Sequence, residues 1–357
     1  MEAMMDLQQA IVGCLIGTAV GDAIGLPCEG LSKQRQQRLY PNIARYHLLF
    51  GRGMVSDDTE HTCMVAQALL VSGGETRLFA ASLARQLRFW LLGIPAGIGY
   101  ATLRAILKLW LGFPPGKSGV FSAGNGPAMR SALLGICCGH DLDRLRELVR
   151  AATHITHTDP KAEYGALAVA LAAYTASRQR EAIDPAAYCQ RLHALLGTEA
   201  SELLELAAQA AESAQAGESV QDFAVKIGLD SGVSGYIYHT VPVVLQAWFR
   251  YPTDYRSGIL EIVRCGGDTD TTAAILGGIL GAAVGEDGIP PEWRDGLWEW
   301  PRTVAWMERL GQQSARAVPD GTPQRALPLP TISLFARNLL FLCVVLFHGF
   351  RRLLPPY

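Results

Sequence analysis

The stretch Cys265–Gly285, CGGDTDTTAAILGGILGAAVG, places two carboxylates, Asp268 and Asp270, in a run of glycine, threonine and small apolar residues. Its pattern predicts a buried helix over 270–284. Desolvating an unpaired carboxylate is expensive, so such a group shifts its pKa, finds a partner or binds a cation. A second acidic pair answers the first. In GMVSDDTEHTCMVAQALL, Gly53–Leu70, the residues Ser56, Asp57, Asp58, Thr59 and Glu60 open another apolar helix. Taken alone, that motif is an N-cap followed by acids that favour the positive helix end. Two such mouths can also converge into one oxygen-lined pocket, where four carboxylates need cations to coexist. Ser56, Asp57, Asp58, Asp268, Asp270 and Thr271 are then the candidate ligands. An all-oxygen set selects hard ions, so two Mg²⁺ or Mn²⁺ are expected.

The rest of the chain fits a helical enzyme. Of its 357 residues 49% are hydrophobic and 18% charged, enough for a large core. The net charge of -2 offers no basic face, so no nucleic-acid partner is expected. Alanine, leucine and glycine dominate while β-branched alternation is scarce, which predicts an all-α fold. The eight cysteines include no C-x-x-C pair and several lie in apolar runs. They read as reduced thiols of a cytoplasmic protein rather than a zinc site.

Near the N-terminus, IVGCLIGTAVGDAIGLP is apolar enough to mimic a signal sequence. The preceding MEAMMDLQQA carries two acids and no base, and Asp22 interrupts the run. Gly13, Gly17, Gly21 and Gly25 recur every fourth residue, which puts a small-residue stripe on one face of a core helix. Helical patterns continue through 59–72, 76–93, 98–111, 127–138, 141–152, 161–177, 185–196, 199–215, 218–226, 236–249, 254–264 and 291–310. A glycine-rich loop, Gly112–Pro127, is long enough to be functional.

The chain divides into a body, 1–316, a proline-rich linker, 317–330, and an apolar, basic tail, 331–357. The tail has three arginines and no acid. Arg337, Asn338 and His348 interrupt its apolar run, leaving at most nine unbroken residues, Leu339–Phe347. A span needs about twenty, so the expected roles are a helix docked on the body or a second subunit, or attachment to an anionic membrane surface.

Five motifs, GCLIGTAVGDAIGLPCEG, SDDTE, GNGPAMR, ITHTDPKAEYGALA and GGDTDTTAAILGGILGA, follow one another as in the ADP-ribosylglycohydrolases, which the chain resembles over about residues 8–310. The resemblance implies an all-α orthogonal multi-helix bundle with a dinuclear Mg²⁺ or Mn²⁺ site. It also implies hydrolysis of the bond between ADP-ribose and a modified protein side chain, releasing ADP-ribose. Carried over residue by residue, Ser56, Asp57 and Asp58 match the first ligand motif, and Asp268, Asp270 and Thr271 the second. Glu29 matches a mobile acid beside the scissile bond. Glu29, Asp57, Asp58 and Asp270 are the catalytic candidates.

For ADP-ribose itself, Gly124, Asn125 and Gly126 match the pyrophosphate loop, with backbone N–H groups expected to be free at a helix that starts with Pro127. His157 matches the ligand-contacting histidine, while His154, one turn away, reads as structural. Gly235 and Tyr236 match an S-G-Y segment. Met129 and Arg130 read as packing and support. ADP-ribosyl-arginine is the expected substrate. A serine linkage, another ADP-ribose conjugate, or a binding protein that neutralises an ADP-ribosylating partner stay open.

Overall fold

Glycines spaced by four decide the centre of the molecule. In the computed structural model, which describes residues 6–179 and 183–354, the helix Leu7–Gly25 runs antiparallel to the helix Thr269–Val284. Their backbones touch. A Cβ on Gly17 would lie 2.2 Å from the Gly277 carbonyl oxygen, and one on Gly13 would lie 2.1 Å from that of Gly281. Farther along, Gly21 and Gly25 meet the carbonyls of Ala273 and Thr269 in the same way. No larger side chain fits this seam. The sequence places Ala274, Gly277, Gly278 and Gly281 against the first helix; Gly277 and Gly281 lie in the seam, while Gly278 faces Thr18 and Ala132. Both helices are buried almost throughout, so they read as apolar all round.

Helices surround this pair on every side, and the described residues contain isolated β-bridges but no extended strand. The fold is all-α, as expected. Three boundaries differ from the sequence pattern. The helix Lys33–Leu39, capped by the Ser32 hydroxyl, is polar and lacks an apolar period to betray it. The 127–138 stretch is a 3₁₀ turn, Ala128–Arg130, followed by a short helix, Ala132–Cys138. The 291–310 stretch is two helices, Pro291–Arg294 and Val304–Ala317. Between them the chain leaves helical geometry to support a neighbouring loop: Trp298 N donates to the Gly53 carbonyl, and Glu299 Oε2 accepts from Val55 N.

The proline-rich segment is strapped to the body. The Gln67 side-chain amide donates to the Leu327 carbonyl and accepts from Leu327 N, each at 2.9 Å. Beyond it lies the helix Thr331–Arg351, whose 21 residues are long and apolar enough to cross a membrane by length and composition. In the structure it docks on the body through its polar residues: Arg337, Asn338 and His348 are buried, while Ile332, Phe347 and Phe350 are exposed.

Candidate active site

Ser56 caps the helix Asp57–Ser72. Its hydroxyl accepts from Asp58 N at 3.2 Å and donates to Asp58 Oδ2 at 3.0 Å. The whole turn is held from below by Asp22, from the middle of the glycine helix. Asp22 accepts from Ser56 N at 3.0 and 2.9 Å, from Thr59 N at 3.2 Å and from the Thr59 hydroxyl at 2.6 Å. In the sequence, Asp22 reads only as an interruption of an apolar run. Its spacing from Gly21 and Gly25 was the available clue, because a residue next to the seam is carried to the mouth of the facing helix.

The second acidic motif is built from strained backbone. Gly266 and Gly267 have φ of +74° and +82°, and a Cβ on Gly267 would lie 2.0 Å from the Val233 carbonyl oxygen. That close pairing lets Asp268 N donate to Val233 O and Val233 N donate to Gly266 O. Two further bridges tie Gly124 to Tyr236 and Val120 to His157. These links hold the loops around 120–126, 157, 231–236 and 266–268 in register without a sheet.

The loops and helix mouths enclose one cavity of about 800 Å³. Glu29, Ser56, Asp57, Asp268, Asp270 and Thr271 line it, as do Gly124, Asn125, Gly126, His157 and Gly235. Asp58 lies just behind this wall, almost wholly buried, and accepts from the Thr271 hydroxyl at 3.2 Å, so the two acidic motifs meet directly. Asn125 spans the floor: its amide donates to Asp268 Oδ2 at 2.7 Å and to the Thr240 hydroxyl at 3.0 Å. Tyr236 is turned the other way, its hydroxyl accepting from Lys161 Nζ at 2.9 Å.

The pyrophosphate loop differs from its sequence expectation. Asn125 N is spent on the Gly235 carbonyl, and Ala128 N and Met129 N on the Asn125 carbonyl. After Pro127 the chain forms a 3₁₀ turn rather than a helix N-terminus. The glycines at 124 and 126 serve to admit His157 instead: Cβ atoms there would lie 3.0 and 3.2 Å from its imidazole. Arg130 supports that histidine from inside the core, donating to the Thr156 hydroxyl at 2.6 Å, which in turn lies 2.9 Å from His157 Nδ1. Burial, aided by the Arg130 charge, pulls His157 down to about 3, so the ring is neutral at pH 7. His154 instead faces Glu163 at 2.9 Å, outside the cavity.

Electrostatics set this cavity apart. Asp57, Asp58 and Asp270 are driven well above the carboxylate range, first by burial and then by one another and their acidic neighbours. Glu29 is raised by burial and by the charge of Asp268. Glu60, one turn into the same helix, behaves oppositely. Burial alone would raise it, but Arg302 at 2.6 Å and Arg337 at 3.7 Å overcome that and hold it below its usual range. Glu60 is therefore a structural ion-pair member, and the four motif aspartates are the ones left without a protein cation.

The donor chemistry suits hard divalent cations. Asp58 Oδ1 and Asp270 Oδ1 are buried with no hydrogen-bond partner, and carboxylate and hydroxyl oxygens surround them. Among the described residues no three His, Cys, Asp or Glu side chains already close on a common centre, so the acids are arranged around the cavity rather than collapsed into a cage.

The sequence profile of the ADP-ribosylglycohydrolases matches residues 3–323. The chain belongs to the ADP-ribosylglycohydrolase family. Among its relatives, an uncharacterized Archaeoglobus fulgidus protein is 30% identical over 82% of this chain and 92% of its own length. The Rhodospirillum rubrum ADP-ribosyl-[dinitrogen reductase] glycohydrolase is 27% identical over 79% and 88%. The Pseudomonas putida ADP-ribosylarginine hydrolase Tri1 is 26% identical over 87% and 78%. A solved structure named as an ADP-ribosylglycohydrolase-related protein complex superposes with a TM-score of 0.58 at 26% identity, covering 88% of this chain and 99% of its own. As an ADP-ribosylglycohydrolase, the chain is a hydrolase of ADP-ribose conjugates, from a family that is in general metal-dependent.

Proposed function

We propose that this chain removes ADP-ribose from modified arginine side chains by cation-dependent hydrolysis of the N-glycosidic bond. The observation that supports the reading is the pair of buried, unpartnered carboxylate oxygens, Asp58 Oδ1 and Asp270 Oδ1, at two helix mouths beside one cavity. Arginine as the modified residue draws support from the name of the P. putida relative.

Ser56, Asp57, Asp58, Asp268, Asp270 and Thr271 would hold two Mg²⁺ or Mn²⁺, which when bound supply the charge that acidifies a water and orients the ribose hydroxyls. The chain's own groups do the rest. Asp22 holds the Ser56–Thr59 turn by its backbone amides, and Asn125 keeps Asp268 in one rotamer. Gly124, Asn125, Gly126, His157 and Gly235 form the wall for ADP-ribose, with His157 presenting an uncharged ring. Water oxygen bonds to the anomeric carbon as the C–N bond breaks, through an oxocarbenium-like state. Glu29, raised by its buried and acidic surroundings, holds the carboxyl proton that the departing guanidine nitrogen takes up.

Incubation with ADP-ribosyl-arginine and ADP-ribosyl-serine peptides, with and without Mg²⁺, tests the reading. Release of ADP-ribose from the arginine peptide only when cation is present is the expected result. Preferential release from the serine peptide would move the assignment to that linkage. Tight binding of an ADP-ribosylating protein without turnover of either peptide would make the chain a neutralising partner.

A further inference from the structure

The family match ends at residue 323, before the C-terminal helix begins, yet that helix reaches the cavity. Phe341 and Val345 line it beside Leu26 and Glu29. Beneath them lies a hydrophobic cluster separate from the main core, made of Leu26, Leu48, Met54, Phe341 and Val344. Leu26 precedes Glu29 by three residues, and Met54 precedes Ser56 by two. The helix therefore packs on the two segments that deliver the candidate acid and the first acidic motif.

Its polar residues make the same two attachments. Arg337 Nε and Nη2 donate to Glu299 Oε1 and Oε2, each at 2.7 Å, and Nη2 also donates to the Val55 carbonyl. Since Glu299 Oε2 accepts from Val55 N at 3.2 Å, this buried pair grips both backbone groups of the residue before Ser56. One turn past the cavity, His348 Nε2 sits 2.6 Å from the Leu48 carbonyl, which only accepts. That contact requires the proton on Nε2 and leaves Nδ1 to accept from the Tyr40 hydroxyl. At the end of the helix, Arg352 Nη1 donates to the Glu29 carbonyl at 2.9 Å and Nη2 to the Pro27 carbonyl at 3.0 Å. Across the same short segment, Gly30 N donates to Gly267 O, next to Asp268.

We infer that the C-terminal helix is a built-in wall of the substrate cavity and that Arg352 is a positioning residue that sets Glu29 against the acidic motifs. The inference rests on the proposed hydrolase reading. A guanidinium that spans two carbonyls fixes the direction of a loop as well as its distance, which an ammonium does less well. Without it the segment between Leu26 and Gly30 keeps only its Gly267 contact and its apolar anchor. Small displacements of an acid beside a reacting bond cost large factors in rate.

The test uses the full chain with Arg352→Ala and Arg352→Lys. Arg352 sits at the rim of the protein, so neither change is expected to disturb folding. Arg352→Ala should lower kcat on the ADP-ribosylated peptide by about tenfold or more with KM nearly unchanged, and Arg352→Lys should restore part of the loss. Hydrogen exchange should quicken by about threefold or more in peptides covering residues 26–31, while peptides covering 124–131 stay as they were. Unchanged exchange at 26–31 overturns the inference. So does faster exchange with kcat and KM both intact, because the helix would then be packing alone. A wild-type chain that turns over no ADP-ribosylated peptide sinks the hydrolase reading instead, and the exchange data still decide whether Arg352 holds the segment.

Discussion

The carboxylate of Asp22 lies 3.0 and 2.9 Å from the backbone nitrogen of Ser56, so a residue in the middle of the glycine helix anchors the first acidic motif. Asp22 also takes both donors of Thr59. Replacing it with Asn would turn an NH₂ toward at least one of these N–H groups. Asp22→Asn should cost about 1–3 kcal/mol of stability, the penalty of a buried donor left unpaired. Urea unfolding measures this. A change under a few tenths would show that the turn holds itself.

Cation dependence follows from the orphaned oxygens of Asp58 and Asp270. Chelator should abolish turnover and Mg²⁺ or Mn²⁺ should restore it, with Zn²⁺ a poor substitute for an oxygen-only set. Asp58→Ala and Asp270→Ala should each lose about a hundredfold or more in rate, roughly 3 kcal/mol of barrier. Calorimetric titration with Mn²⁺ should show weakened binding in both. Because each substitution removes a carboxylate repelled by its neighbours, melting temperatures without cation should hold or rise. Full activity in excess chelator would end this account.

The helix seam predicts a contrast between glycines. A methyl on Gly17 or Gly277 would press into a carbonyl oxygen at 2.2 or 2.3 Å. Gly17→Ala or Gly277→Ala should therefore destabilise by about 3 kcal/mol or more, since the two helices must separate. A methyl on Gly30 would meet nothing within 4 Å, although φ there is +68°, so Gly30→Ala should cost only about 1 kcal/mol. Equal melting temperatures for the two kinds of variant would contradict the seam.

Glu29 is expected to move a proton rather than to bind ADP-ribose. Glu29→Gln should lower turnover by about a hundredfold, while calorimetry with ADP-ribose gives an affinity close to that of the parent chain. Equal turnover would reduce Glu29 to a loop acid.

The buried imidazole of His157 makes stability depend on pH in a known direction. Its folded pKa is held at about 3, while an unfolded histidine titrates near 6.5. Between those values the unfolded chain binds a proton that the folded chain refuses. The contribution of His157 is therefore fully present above about pH 6.5 and is lost as pH falls toward 3. In urea unfolding from pH 7 to 5, His157→Gln should show a shallower loss of stability than the parent. Parallel curves would mean that the ring protonates in place.

Much of the fold and the acidic pairs were legible in the chain itself. The four-residue glycine spacing, the two hydroxyl–aspartate helix starts and the alanine-rich periodicity are local patterns, and a helix with a small-residue face has few ways to bury it. What local pattern could not carry was which backbone atoms each loop would spend. The polar helix Lys33–Leu39 has no apolar period, and the Asn125 amide reads as free until the Gly235 carbonyl is seen to claim it.

Asp22 and the C-terminal helix show the same division. In sequence, Asp22 interrupts an apolar run, and Arg337, Asn338 and His348 interrupt another. The sequence alone determined that these polar groups, set in apolar helices, would need partners, because burying them unpaired is too costly. Only the tertiary structure decided that the partners are Ser56 and Thr59, and Val55, Gly93 and Leu48, because those groups are distant in the chain and meet only once the helices have packed.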